Sequence, residues 1–301
     1  MAIEIPGEDR ELLEGAIDLH LHGRPAVYQR PFDEIELARQ ARSVGMRAIL
    51  PKCHHTINAD RAQLVMKVVP GIEVYGGVVL NYTVGGLNPE AVIAALHYGA
   101  KQVWMPNIHA AHHIKIEGQA GYPNKEFQKI VKGQTLQMEG ITILTPDGEV
   151  KPEVYEILDL IAAADVILGT SHLSLEEQYI LVKAARSAGV KKILVTHPEW
   201  EVTNWSLADQ VRLADMGAIM EHCFSVCMPF ESMVNPVVMA ENIRGVGASR
   251  CVMATDLGQP ENTNPIEGFR QFMRMMMRFD ITEKEIEIMA KRNPAKLLGL
   301  E

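Results

Sequence analysis

The sequence has few cysteines, no long apolar run and no excess of positive charge. The 301 residues include only Cys53, Cys223, Cys227 and Cys251, too few for a disulfide framework in a chain of this size. We therefore expect a reducing, cytoplasmic compartment. No apolar run is long enough to span a bilayer and no basic-then-apolar leader follows Met1, so we expect no membrane insertion or secretion. The net charge of -9 argues against nucleic acid as the main partner.

The remaining composition is that of a chain able to bury a large core. It is 47% hydrophobic and 22% charged, and its length is ordinary for an α/β barrel of roughly 250 residues. Short apolar segments alternate with helical patterns along nearly the whole chain, and we count eight strands. The predicted strands are 16–22, 48–52, 74–80, 102–105, 165–170, 192–196, 218–224 and 251–255. This alternation predicts one domain over 1–301 with the α/β architecture of a (β/α)8 TIM barrel.

Several helix starts carry clear capping signals. Asn88 precedes Pro89, and Ser174 and Thr282 are each followed three residues later by a glutamate. A capping asparagine before proline and the Ser/Thr-x-x-Glu box both indicate helix N-termini. We therefore predict helices beginning at these three positions.

The alternation breaks after the fourth strand. Residues 107–150 are too many for a simple connection, and 141–150 has the pattern of a small hairpin. We predict an insertion that folds over one end of the barrel as a lid and brings His109 or His112 near a substrate. A flexible surface excursion is the alternative interpretation.

The segment 16–22 reads Ala-Ile-Asp-Leu-His-Leu-His and has strand alternation. Ile17, Leu19 and Leu21 are predicted to face one side, with Asp18, His20 and His22 on the other. Two imidazoles at i and i+2 then point the same way and can hold one metal ion. The alternative is an edge strand with two surface histidines.

Polar residues concentrate where the predicted strands end. Ten of the 11 histidines lie at or after a strand, and only His97 lies at a helix end. In a barrel all strand C-termini meet on one face, where active sites form. Any single histidine could still be a hydrogen-bonded core residue. The residues at these ends are Arg24, Lys52, His54, His55, His109, His112, His113, His172, His197, Glu221, His222 and Asp256.

One subset has the composition of a metal site. The imidazoles of His20, His22, His172 and His197 and the carboxylate of Asp256 suit Zn²⁺, Mn²⁺ or Fe²⁺. With their surroundings, these residues resemble the amidohydrolase superfamily of metal-dependent hydrolases. The matching segments are 18–22, 169–172, 195–198, 255–256 and 293–299.

The resemblance implies a role for each matched residue. His20, His22 and Asp256 would hold a first metal ion, and His172 and His197 a second. In one-metal members His172 would be a ligand and His197 would contact the substrate. Asp256 would also take a proton from the metal-bound water. The implied cofactor is therefore a divalent metal, Zn²⁺ foremost, as one or two ions, and the implied catalytic residues are Asp256 and His197.

The sequence also departs from the superfamily pattern. Two-metal members usually bridge their ions with a carboxylated lysine or a glutamate, commonly from the fourth strand. Here that strand ends Trp104-Met105-Pro106-Asn107, so neither a lysine nor a glutamate is present at its end. Lys52 is the nearest substitute by position, and a substrate-binding or a solvated lysine is the other interpretation.

Three classes of function stay open. The first is a metal-dependent hydrolase of an amide, cyclic amide or lactone, and the second is a metal-dependent decarboxylase or lyase. The third is a phosphoesterase or a non-catalytic metal-binding barrel. Cationic groups at the strand ends favour a small anionic substrate, and a homo-oligomer is compatible with the sequence. The predicted substrate-binding residues are Arg24, Lys52, His54, His55, His109, His112 and His222.

Overall fold

Eight parallel strands form the centre of the part of the protein that the structure describes. The computed structural model describes residues 11–118, 139–231 and 233–301. The third strand, β3, has two segments because its pairing is interrupted for two residues. The strands are β1 Ile17–Leu21, β2 Ala48–Pro51, β3 Glu73–Val74 with Gly77–Val79, β4 Gln102–Trp104, β5 Ile167–Gly169, β6 Ile193–Thr196, β7 Ile219–Cys223 and β8 Cys251–Ala254. Each overlaps a predicted strand.

The strands pair in sequence order and the last returns to the first. β1 to the first segment of β3 form one parallel run, and the second segment of β3 to β8 form another. After β8, the amide of Asp256 donates to the carbonyl of His20 at 2.6 Å, and the amide of His22 donates to the carbonyl of Leu257 at 2.7 Å. The predicted (β/α)8 fold class is confirmed.

Helices follow the strands, and the predicted caps are present. Asn88, Ser174 and Thr282 each accept a hydrogen bond from the first turn of the helix they precede. The helices are α1 Glu34–Ser43, α2 Ala59–Val68, α3 Pro89–His97, α4 Ala111–Glu117, α5 Pro152–Ala164, α6 Leu175–Ser187, α7 Leu207–Asp215, α8 Pro236–Val246, α9 Pro265–Arg278, α10 Glu283–Glu287 and α11 Asn293–Leu298. Within the described ranges, no helix combines the length and apolar character needed to cross a bilayer.

Two apolar clusters lie on the two sides of the strands. The inner one contains Leu50, Trp104 and Val252 from the strands, together with Leu297 from α11. The outer one fills the space between strands and helices. Residues that begin strands, such as Ile17, share the inner cluster with α11, so this helix closes the N-terminal end. The C-terminal end is left for the polar residues.

The strict alternation predicted for the first strand is wrong. Ile17 and Leu19 belong to the inner cluster, whereas Leu21 belongs to the outer one. The pairing of β1 with β2 shifts register between Asp18 and Leu21, and such an irregularity changes which face the following side chains take. His20 and His22 nevertheless converge on one point, as described below.

The predicted insertion lies only partly within the described residues, because 119–138 fall outside them. The described part contains α4, a parallel bridge between Ala110 and Ile141, and an antiparallel bridge between Leu144 and Val150 where a hairpin was predicted. The function of 107–150 as a lid stays a prediction.

Asp18 joins β1 to the end of β8 and provides a stability test. Its carboxylate accepts hydrogen bonds from Thr255 Oγ1 at 2.6 Å, from the Thr255 amide at 3.1 Å and from the His20 amide at 3.1 Å. Asp18→Ala leaves two buried amides without this acceptor, at about 1–3 kcal/mol each, while the Thr255 hydroxyl can still donate to the carbonyl of His20 at 3.2 Å. We expect the free energy of unfolding to fall by at least about 2 kcal/mol.

Urea unfolding followed by tryptophan fluorescence measures this loss. The control is Asp215→Ala, because Asp215 is an exposed aspartate that pairs with Arg250 on the surface. We expect this control to lose about 0–1 kcal/mol. Equal losses in the two variants would show that Asp18 does not hold the strands together.

Candidate metal-binding active site

Three side chains at the C-terminal ends of β1 and β8 meet at one carboxylate oxygen. His20 Nε2 lies 3.1 Å from Asp256 Oδ1, and His22 Nε2 lies 2.9 Å from the same oxygen. Their ligand atoms all lie within 4.8 Å of one another. His22 and Asp256 are 234 residues apart in the sequence. They come together because the last strand returns to the first.

The other nitrogen of each ring already has a hydrogen-bond partner. His22 Nδ1 lies 2.9 Å from the carbonyl oxygen of Lys52, and His20 Nδ1 lies 3.2 Å from Glu221 Oε2. Both partners accept hydrogen bonds, so in the neutral rings the protons sit on Nδ1. The lone pairs of both Nε2 atoms then face the Asp256 carboxylate. Two nitrogen lone pairs and a carboxylate directed at one point fit a divalent cation.

The charges of the three groups agree with this donor set. Burial opposes ionisation of Asp256, but His20 and then His22 outweigh it and hold the pKa of the carboxyl well below its usual range. Burial, followed by the charge of Arg30, lowers the pKa of His22 to about 3. Burial also disfavours protonated His20, yet the Asp256 carboxylate more than offsets this and raises its pKa. The centre therefore attracts positive charge.

A second group of potential ligands shares His20. The Nδ1 side of its ring faces Glu221 and Cys223, and the three form another set of ligand atoms within 4.8 Å. Cys223 Sγ lies 3.8 Å from His20 Nδ1. His22 and Asp256 line the cavity described below, whereas Glu221 and Cys223 do not. The set with Asp256 is therefore the one that a substrate in the cavity could reach.

Strained backbone occurs at the same strand ends. Ser171, His197 and Asp256 have positive φ values of 52°, 32° and 51°, a conformation uncommon for non-glycine residues. Such strain costs of order 1–3 kcal/mol per residue and clusters at functional sites. Gly258 has φ 132°, and a Cβ there would lie 2.1 Å from the carbonyl oxygen of His22. The chain can turn away beside His22 only because this residue is glycine.

His172 and His197 lie next to this centre. Their Nε2 atoms are 3.2 Å apart, and the rings of His20 and His197 have centroids 6.0 Å apart. His172 Nδ1 also contacts His113 Nδ1 at 3.0 Å. Burial lowers the pKa of His197 to about 3 and that of His172 well below its usual value. Both rings are neutral and able to donate lone pairs.

A cavity of about 810 Å³ opens beside these residues. The predicted metal ligands His22, His172, His197 and Asp256 line it, whereas His20 lies beneath, fully buried. Trp200 forms one wall against the rings of His172 and His197, with centroids 4.6 and 5.0 Å away.

Two of the predicted substrate-binding residues line the cavity. Lys52 reaches His20 Nε2 with its Nζ atom at 3.3 Å, and burial lowers its pKa. The ring of His54 stacks on that of His22 with centroids 4.7 Å apart.

The other five do not line the cavity. Arg24 is half-exposed and pairs with Glu36 at 3.2 Å. His55 is buried against Tyr28, and His109 against Tyr82.

His112 and His222 form hydrogen bonds outside the cavity lining. His112 donates to the carbonyl of Val202 at 2.8 Å. His222 Nδ1 lies 3.0 Å from Glu199 Oε1, and its Nε2 lies 3.4 Å from Cys251 Sγ. Burial opposes the charge of His222, but Glu199 outweighs it and raises the pKa to about 10. His222 is thus one half of a buried ion pair.

Sequence reasoning assigned no role to two residues of the site. Glu221, not His222, faces inward from β7 and orients His20. Arg30 lies eight residues after His22 in the loop that leaves β1, and it lines the cavity where Arg24 was expected. The available signal for Arg30 was its position in a strand-end loop. No sequence signal distinguished it from Arg24.

Sequence comparison identifies a family. Residues 15–221 match the model of a family of unknown function, DUF6282. The chain belongs to this family. The description of DUF6282 names no activity, and no curated protein matches the sequence at a significant level.

Structure comparison relates this DUF6282 member to solved structures. A putative 2-pyrone-4,6-dicarboxylic acid hydrolase from Pseudomonas putida has a TM-score of 0.61 and 14% identity, covering 95% of this chain and 98% of its own. An amidohydrolase from Pseudomonas aeruginosa has a TM-score of 0.63 and 12% identity, covering 96% and 98%. A 2,6-dihydroxybenzoate decarboxylase from Rhizobium has a TM-score of 0.56 and 11% identity, covering 95% and 99%. The predicted resemblance to amidohydrolase structures is confirmed for the fold.

Proposed function

We propose that the protein is a metal-dependent hydrolase that cleaves a C–N or C–O bond in a small anionic molecule. The bond belongs to an amide, a cyclic amide or a lactone. The observation that carries this proposal is the convergence of two Nε2 lone pairs on Asp256 Oδ1, with both Nδ1 atoms occupied by acceptors. That arrangement supports a divalent ion, Zn²⁺ foremost and Mn²⁺ or Fe²⁺ as alternatives.

His20, His22 and Asp256 would hold the ion. A bound divalent ion polarises a carbonyl and lowers the pKa of its water from about 15.7 towards about 7. His172 and His197 are close enough to extend the site, either as ligands of a second ion or as contacts to the substrate. Because β4 ends in Trp104 and supplies no bridging carboxylate, one ion is the simpler arrangement.

Asp256 is the proposed proton acceptor. Its Oδ1 faces the two histidines, while its Oδ2 accepts a hydrogen bond from Ser225 Oγ at 3.2 Å. Since its pKa lies well below the usual range, the carboxylate is ionised at neutral pH and Oδ2 is available for a proton. Asp256 then passes that proton to the leaving nitrogen or oxygen.

His197 is the proposed contact to the substrate carbonyl. It lines the cavity, and its Nδ1 atom has no hydrogen-bond partner among the described residues. Its pKa of about 3 keeps the ring neutral, so it can orient a carbonyl group without adding charge. Trp200 packs against the ring and excludes water from that side.

A decarboxylase is the second candidate, and one feature favours it. The lack of a bridging residue on β4 indicates a single ion, as in one-metal relatives on this scaffold that act on carboxylated substrates. A histidine beside the ion would then act on the substrate, and carbon dioxide would leave.

Product analysis in water enriched with oxygen-18 separates the two reactions. Zinc-loaded protein is incubated with a panel of carboxylated lactones, cyclic amides and aromatic acids. We expect turnover of a lactone or amide, with one labelled oxygen in the product carboxylate. Release of carbon dioxide without label in the organic product would show that the protein is a decarboxylase and would contradict the hydrolase proposal.

Glu221→Gln tests how the ion site is oriented. The amide keeps the size of the side chain but can present its NH₂ group to His20 Nδ1, which removes the acceptor that fixes the proton there. Loss of such a supporting partner typically lowers metal affinity by about 10- to 100-fold. We expect a rise of that size in the dissociation constant for Zn²⁺, measured by competition with a chromophoric chelator.

The control for Glu221 is Glu34→Gln. Glu34 is also buried and pairs with Arg61 at 3.1 Å, but it does not line the cavity. We expect its zinc affinity to match the wild type. An unchanged affinity in Glu221→Gln would show that Glu221 does not orient His20 for the ion.

A further inference from the structure

The cavity contains one buried cation that the proposed hydrolysis does not use. Among the described residues that line it, Arg30 and Lys52 are the only basic ones. Lys52 Nζ contacts His20 Nε2 at 3.3 Å and lies 5.5 Å from the ring centroid of Trp104, so it belongs to the floor of the metal centre. Arg30 comes from a different element, the loop after β1.

Arg30 is buried and forms no direct ion pair among the described residues, although the carboxylates of Asp256 and Glu231 favour its charge from further away. Its residue is 7% exposed, and its Nε atom has no hydrogen-bond partner within the described part of the chain. None of the ion pairs between described residues includes its guanidinium. A buried unpaired charge is costly to stability and is retained in proteins chiefly where it has a function.

The loop after β1 and the ring of Tyr28 position Arg30. The loop that carries it is closed by a bridge between Arg24 and Asp33, and its guanidinium carbon lies 5.7 Å from the ring centroid of Tyr28. Tyr28 and Arg30 both line the cavity. A guanidinium at the wall of a cavity can bind a carboxylate through two parallel hydrogen bonds.

The remaining charges of the cavity restrict which anion it accepts. Glutamates 117, 201, 231 and 261 line it together with Asp256, so acidic groups outnumber the two basic ones. A singly charged carboxylate therefore suits the cavity better than a phosphate dianion.

We propose that Arg30 forms a carboxylate-binding subsite, so that the substrate is a monocarboxylic acid anchored there by its carboxylate. The anchored group fixes the molecule at one end of the cavity and leaves its reacting bond toward Asp256. The orientation rests on the proposed function, whereas the binding of the carboxylate by Arg30 does not.

Benzoate is the probe, and neutral benzamide is its match in shape. Isothermal titration calorimetry measures the binding of each to the full chain, with and without one equivalent of Zn²⁺. The variant is Arg30→Gln, and Arg47→Gln is the control because Arg47 is a surface arginine paired with Glu73. Inorganic phosphate is the third ligand and reports a general anion site.

We expect benzoate to bind more tightly than benzamide or phosphate. In Arg30→Gln its dissociation constant should rise about 10- to 100-fold, as expected for a charge-assisted pair of hydrogen bonds. This variant should still bind one equivalent of zinc. The melting temperature should stay equal or rise, since an unpaired buried charge is removed, whereas a purely structural arginine would give a lower one.

Two results would overturn the subsite. One is equal benzoate affinity in wild type and Arg30→Gln, which would place the carboxylate on the metal alone. The other is phosphate binding as tightly as benzoate. Failure of the metal proposal is distinguishable, because it would abolish zinc binding while leaving the Arg30-dependent binding of benzoate without zinc.

Discussion

Asp256→Asn is expected to lower turnover by about 10²–10⁴-fold while a large part of the metal affinity remains. The asparagine keeps the shape of the side chain and a neutral oxygen toward His20 and His22. It loses the carboxylate that accepts a proton, and the loss of a positioned general base typically costs that factor. Metal content by mass spectrometry and the rate constant on the substrate found in the product screen are measured on the same sample.

The alternative role for Asp256 is to cap or support the chain after β8. Ser225→Ala serves as the control for its hydrogen bonding, because Ser225 Oγ donates to Asp256 Oδ2 and carries no charge. We expect a smaller loss of turnover in this control. An Asp256→Asn protein with full metal and a near-normal rate would move the role of proton acceptor to His197.

His20→Ala is expected to abolish metal binding and activity together. His20 is fully buried between Glu221 and Asp256, so its removal takes one of three ligands and leaves two carboxylates facing each other. The residual activity should not exceed that of the metal-free protein. Zinc stoichiometry and turnover are measured after circular dichroism has shown that the variant is folded.

The control for this variant is His97→Ala. His97 is exposed at the end of α3 and is the histidine that lies away from the strand ends. The His97→Ala variant should bind one equivalent of zinc, as we expect for the wild type. A folded His20→Ala protein that still binds zinc with wild-type affinity would contradict the assignment of the ligands.

The fold was largely predictable because its signals are local. Helix caps such as Ser174 and Thr282 are short-range patterns whose hydrogen bonds form within one turn, and each strand lies between a helix stop and a helix start. The break within β3 and the irregularity in β1 were not predictable. Both depend on how neighbouring strands meet, as in the shifted pairing between Asp18 and Leu21.

The sequence predicted which residues lie at the strand ends, but not which of them face the inside of the barrel. Strands of a parallel barrel are buried on both sides, so apolar residues flank every position and alternation does not tell inside from outside. Glu221 and His222 are adjacent and both fully buried, yet only Glu221 faces the centre. Likewise Arg24 and Arg30 share a loop, and only the path of the folded loop separates a surface ion pair from a cavity wall.

The most direct test of the account is a crystal structure of the zinc-loaded protein with anomalous diffraction measured at the zinc absorption edge. The account predicts an anomalous peak bonded to His20 Nε2, His22 Nε2 and Asp256, with bonds of about 2.0–2.2 Å. A peak on the opposite side of the His20 ring, among Nδ1, Glu221 and Cys223, would contradict it. A zinc-loaded crystal with no peak at the end of β1 and β8 would contradict it equally.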